Sequence, residues 1–136
     1  CTHVCLDHLS LIISSMTGKV TDERRLIDDA MTQLRTMVQE LDITLFLVSH
    51  LTRPQGKGHE AGGKVELSQL RGSHAIAQLA DQCLGLQMDA EDPTNDCRDL
   101  VVLKNRFTGQ VGFAGRLKYQ RDTGRLIDAD SGNSRF

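Results

Sequence analysis

The chain has 136 residues, 39% of them hydrophobic and 25% charged, and a formal net charge of −2 at pH 7. That length allows one domain at most and can bury a real core. The charge balance provides no overall basic field for nucleic acid, so any such contact must come from a local patch. There is no run of about 18 apolar residues to cross a membrane, and the start lacks the layout of a secretory signal.

The first strand is expected from Thr2 to Asp7, with its core at Val4 to Leu6. The stretch "SLIISSMTGKVTDE" reads as a connector of mixed character, ending at a helix cap, Thr21 or Asp22. From there to Leu41 the apolar residues Ile27, Met31, Leu34, Val38 and Leu41 are spaced four, three, four, three, which predicts one helical face. Ile43 to Val48 is nearly continuous apolar sequence, as expected of a strand covered on both faces of a parallel sheet. The first half therefore reads as a strand–helix–strand crossover.

The next stretch, "LTRPQGKGHEAGGKVE", is rich in Gly and carries Arg53, Lys57 and Lys64. It reads as a long loop, and long loops in compact domains are often functional. "LSQLRGSHAIAQLAD" returns to helical spacing through Ile76, Leu79 and Ala80. "QCLGLQM" and "DLVVLKNRF" read as strands on either side of an acidic turn, "AEDPTNDC". "VGFAGRLKYQRDTGRLID" reads as two strands around Asp122-Thr123-Gly124, a hairpin signal. Residues 131–136 are expected to be a flexible tail, and residues 1–130 one folded portion.

Several short stretches bear on chemistry. In a strand, Cys1, His3, Cys5 and Asp7 form one column, with roughly 7 Å between successive members. Zinc needs a tetrahedron from ligands that wrap it, which such a column cannot offer. The four Cys form no Cys-x-x-Cys pair and read as free thiols in a reducing setting. An apolar strand ending in Asp7 fits a nucleotide site better, because ligands of open α/β sheets bind beyond the carboxyl ends of the strands. An Asp there can hold the water shell of Mg²⁺, although an Asp ending a strand is also an ordinary turn residue. A second apolar strand ends in Ser49-His50. If the two strands are parallel neighbours, Asp7 and His50 project at the same edge. Lys104 and Arg106 follow a third apolar strand, two apart, and a guanidinium is well matched to a γ-phosphate.

In this order the pieces resemble the motor of the DnaB-like hexameric replicative DNA helicases, a RecA-fold family, with the phage primase-helicases the nearest likeness. "VCLDHLS" resembles the family's Walker B strand, and "LFLVSHL" its switch strand. "LRGSHAIAQLAD" is similar to the motif after the DNA-binding loop, "LKNRFTGQVG" to the finger motif, and "RLKYQRDTGRL" to the closing hairpin. The resemblance runs from Val4 to about Asp128. It implies an α/β, RecA-like, mostly parallel sheet flanked by helices and ending in an antiparallel hairpin.

The resemblance also implies roles. Asp7 would hold Mg²⁺ through water, and His50 would sense the γ-phosphate. Arg53, Lys57 and Lys64 would hold single-stranded DNA. Arg71 and Gln78 would belong to the helix linking DNA loop and nucleotide, and Tyr119 would stack on the base. Lys104 and Arg106 would reach the nucleotide of a neighbouring subunit in a hexameric ring. The substrate would be ATP or dTTP, the further partners primase and DNA polymerase, and the setting the cytoplasm of a phage-infected bacterium, away from any membrane.

The sequence departs from the family in having no G-x-x-x-x-G-K-[ST] phosphate loop and no identifiable Glu to polarise the attacking water. The expectation is the C-terminal portion of a longer, NTP-hydrolysing helicase, inactive and marginally stable by itself. The alternatives are a non-catalytic single-strand-binding or assembly module and a RecA-like recombinase.

Overall fold

The computed structural model describes residues 2–16, 22–52, 63–70, 74–88, 94 and 96–129. They fall into two compact units, one within Cys1–Thr52 and Leu70–Ala80, the other within Arg53–Gln69 and Asp81–Phe136.

The first unit begins with β1 (His3–Leu6), followed by α1 (Leu9–Met16), α2 (Glu23–Leu41) and β2 (Thr44–Leu47). It ends with α3 (His74–Leu79). β1 and β2 pair in parallel, with Val4 against Leu45 and Leu6 against Leu47. This is the expected strand–helix–strand unit with a further helix inside it.

That helix, α1, stands where the sequence suggests only a connector. Its Ser residues and β-branched Ile12 and Ile13 are indifferent helix formers. What stabilises it is tertiary: Leu9 and Ile13, one turn apart, are 3% and 6% exposed and join the core.

α2 starts as predicted. The Asp22 side chain accepts a hydrogen bond from the Arg24 N–H, satisfying one of the donors a helix N-terminus leaves open. It stops at Asp42, whose left-handed backbone (φ 49°) lets its N–H reach the Val38 carbonyl. The buried face is Leu26, Ile27, Ala30 and Met31, with Leu34 packed beside it. The predicted stripe runs further than the burial does, since Leu41 is 62% exposed.

The apolar run of β2 also behaves differently from the expectation of cover on both faces. Leu47 packs against the core, whereas Phe46 and Val48 are 55% and 47% exposed. From α3, Ile76 is buried and Ala75 and Leu79 pack against the same core.

The second unit carries a short 3-10 turn (Leu67–Gln69) and one antiparallel sheet. Its strands are β3 (Gln82–Met88), β4 (Cys97–Asn105), β5 (Gly112–Gln120) and β6 (Arg125–Asp128), in that spatial order. The predicted closing hairpin is β5–β6, turning through Gly124 at φ 68°. The antiparallel part is wider than that hairpin, spanning four strands.

Val65 is buried against one face of this sheet, and Gly85 makes that possible. A Cβ on Gly85 would stand 3.0 Å from Val65 Cγ1 and 3.3 Å from Leu103 Cδ1. On the other side of β3, Leu84 and Leu86 are 57% and 51% exposed. Ion pairs join neighbouring strands and their ends: the part-buried Arg116 Nε donates to Asp99 Oδ1 at 2.9 Å, and the exposed Arg121 Nε to Asp96 Oδ1 at 2.8 Å.

Candidate functional site

The parallel pairing of β1 and β2 decides what their carboxyl ends share. The Val48 N–H donates to the Leu6 carbonyl at 2.9 Å, and the Leu9 N–H donates to the Val48 carbonyl at 3.1 Å. These bonds continue the pairing one step past the strands. They set Asp7 and the Ser49-His50 pair at one edge of the sheet, as the sequence predicts for parallel neighbours. Both Asp7 and His50 are exposed there, and the Asp7–His8 peptide is cis.

His8, to which the sequence reading assigns no role, joins this edge. Its ring meets His50 edge to face, with centroids 4.3 Å apart and planes at 64°. Its Nδ1 is buried and has no hydrogen-bond partner. Just beyond His50, Leu51 forms a bridge with Leu70. That bridge pairs the first residue of the Gly-rich stretch with a residue four positions past its end.

Among the described residues no three His, Cys, Asp or Glu come together to cage a metal ion. Asp7 is one exposed carboxylate, a hard oxygen ligand at a strand end. It fits a hydrated Mg²⁺ held through water, which needs only one or two carboxylates from the protein. Arg53, Lys57 and Arg71 lie outside the described residues. Gln78 is exposed on α3.

The second unit holds the remaining candidates. Lys64 is exposed, and its carbonyl accepts a hydrogen bond from Gln69 Nε2. Lys104 sits on β4 opposite Cys83 on β3. Burial pushes the Cys83 thiol pKa up, and the Lys104 charge works against that shift.

β4 ends at Asn105, so Arg106 is the first residue of the turn beyond it, and strand alternation does not set its side relative to Lys104. Its position comes instead from a residue the sequence reading missed. Arg106 N–H donates to the Asp81 carbonyl at 2.8 Å, and Arg106 Nη1 donates to Asp81 Oδ1 at 3.1 Å. Nothing local signals this, because the two residues are 25 positions apart. Tyr119 lies on β5 opposite Leu126, 41% exposed.

The sequence model of the DnaB-like helicase C terminal domain matches residues 1–128. The chain belongs to this family. A curated relative, the DNA helicase/primase of Enterobacteria phage T3, is 37% identical over 127 residues, covering 93% of this chain. The chain spans only 22% of that relative's length.

Solved structures agree. One solved ATPase domain superposes with a TM-score of 0.72 at 25% identity, over 93% of this chain and 44% of that one. A DnaB-like replicative helicase, described with its interactions with primase, superposes at 0.64 and 26% identity over 81% of this chain and 26% of that one. The α/β fold is thus that of a DnaB-like helicase ATPase domain. No helix among the described residues is long and apolar enough to cross a membrane.

Proposed function

We propose that this DnaB-like domain is the C-terminal portion of a phage-type replicative helicase motor, which hydrolyses a nucleoside triphosphate, ATP or dTTP, and translocates on single-stranded DNA. The observation that carries the reading is the shared edge of β1 and β2. In a chain of this family, that edge brings an exposed carboxylate, Asp7, together with an exposed imidazole, His50.

Asp7 would hold a hydrated Mg²⁺ through its water shell, and the ion would supply positive charge to the phosphates at that edge. His50 donates to the γ-phosphate and loses that acceptor after hydrolysis. The segment that follows it, clasped at its base by Leu51 and Leu70, then shifts. Arg53, Lys57 and Lys64 along this segment hold the DNA backbone through charge. Arg71 and Gln78 connect the segment to the nucleotide, and Tyr119 stacks on the base.

Lys104 and Arg106 serve the nucleotide of the adjacent subunit. Such trans action follows from head-to-tail contacts that close into a ring, here a hexamer. Primase and DNA polymerase are the further partners, in the cytoplasm of an infected bacterium. By itself the chain, having no phosphate loop, is an inactive part of the enzyme.

Mixed rings test the reading. In the full-length protein, Arg106→Ala should lower DNA-stimulated hydrolysis by about 10³-fold or more, the scale of an arginine finger, while nucleotide binding persists. Wild-type subunits should not restore turnover at an interface served by a mutant finger. Rings mixed from Arg106→Ala and Asp7→Ala subunits should regain turnover where an intact finger serves a neighbour's intact site, and no turnover in such rings would defeat the trans assignment.

A further inference from the structure

We propose that Asp81 is a positioning residue for Arg106, pre-orienting its guanidinium for the neighbouring subunit's γ-phosphate. The inference rests on the finger reading above and goes beyond it by naming what aims the finger.

Arg106 is held at both ends of its side chain. At the backbone, its N–H donates to the Asp81 carbonyl at 2.8 Å. The turn it opens is braced separately: Asn105 Oδ1 accepts from the Phe107 N–H at 3.1 Å and the Thr108 N–H at 3.3 Å. The Gly109 N–H then donates to the Asn105 carbonyl at 2.9 Å, with Gly109 in the left-handed region at φ 72°. At the charged end, Nη1 donates to Asp81 Oδ1 at 3.1 Å. Root and tip of the arginine are therefore anchored to one residue at the entrance to β3.

This arrangement suits a finger. A free arginine samples many rotamers, and ordering it in the transition state slows the reaction. A carboxylate that orders it beforehand removes that cost. The guanidinium has five donors in a planar fork, so one edge can stay on Asp81 while another meets phosphate oxygens.

The pair has little to do with holding the fold. The two side chains are 48% and 32% exposed, and exposed ion pairs add little stability. The backbone bond to Asp81 does not depend on the carboxylate, so it survives an Asp81→Asn change.

The test compares Asp81→Asn, Asp81→Glu, Arg106→Ala and the Asp81→Asn/Arg106→Ala double variant in the full-length protein. DNA-stimulated hydrolysis is followed with radiolabelled ATP and dTTP to resolve residual rates, and melting temperature is recorded for each. Asp81→Asn should lower kcat about 10- to 100-fold, the scale of a finger misplaced by about 1 Å. KM and melting temperature should stay near wild type. Asp81→Glu should recover most of the rate, and the double variant should be no slower than Arg106→Ala alone.

Full kcat in Asp81→Asn, or a further loss when it is added to Arg106→Ala, would overturn the proposal and leave the finger standing. A fall in melting temperature that accounts for the lost rate, with no recovery in Asp81→Glu, would also overturn it. Full activity in Arg106→Ala would remove the finger itself, and the role of Asp81 with it.

Discussion

The two units hold themselves together in different ways. The first closes around a helical core: Leu9, Ile13, Leu26, Ile27, Ala30, Met31 and Ile76 are each 6% exposed or less. The second is a sheet whose β4 is half-buried along its whole length, and among its described hydrophobic side chains only Val65 is buried. It relies on backbone ladders, cross-strand neighbours and ion pairs at or near the surface. The difference suits the parts each unit would play. Asp7 and His50 stand just past the ends of short strands backed by a packed core, a firm base for the proposed nucleotide edge. Arg106 stands on a turn of a less buried sheet, paired at the surface with Asp81, which would aim it.

The sharpest way to break this contrast is to remove side-chain volume from each unit. Ile27→Ala should cost about 2–5 kcal/mol, because it leaves a cavity in a closed core. Native-state hydrogen exchange at the α2 amides would read that loss. Overpacking is the corresponding stress for the sheet. Gly85→Ala places a methyl 3.0 Å from Val65 and should cost about 1–3 kcal/mol, read at the β3 and β4 amides. Leu84→Ala, on the exposed side of the same strand, should stay within about 0.5 kcal/mol of wild type. If Leu84→Ala costs as much as Ile27→Ala, the sheet has a core face of its own and the contrast fails.

The smallest effect concerns Cys83. Its raised pKa leaves less thiolate at pH 8 than an ordinary thiol would have, so iodoacetamide should modify it more slowly than the exposed Cys5. Removing the opposing charge with Lys104→Gln should slow it further. Faster modification in that variant would show that access, not charge, controls this thiol.

Much of the molecule is legible in its residues. The spacing of Ile27, Met31 and Leu34 marks α2, Asp22 marks its start, and Asp122-Thr123-Gly124 marks the turn between β5 and β6. Asp7 and His50 can be read as strand-end residues from local pattern alone. α1 escapes such a reading because its burial is only two residues deep, which no periodicity reveals. The contact of His8 with His50 escapes it because that contact depends on the parallel register of β1 and β2. Asp81 escapes it because its partner lies 25 positions further on.

The family came from the resemblance of its motifs; local pattern was enough for the order and type of most elements and for which residues end the strands. These properties are written in spacing, caps and turn residues. Long-range contacts settled that α1 is helical, that β2 is covered on one side only, that the antiparallel sheet is four strands wide, and that Arg106 reaches Asp81. Each of these depends on which distant segments meet. Short-range preferences of a few tenths of a kcal/mol per residue yield there to burial and to charges brought together by the fold.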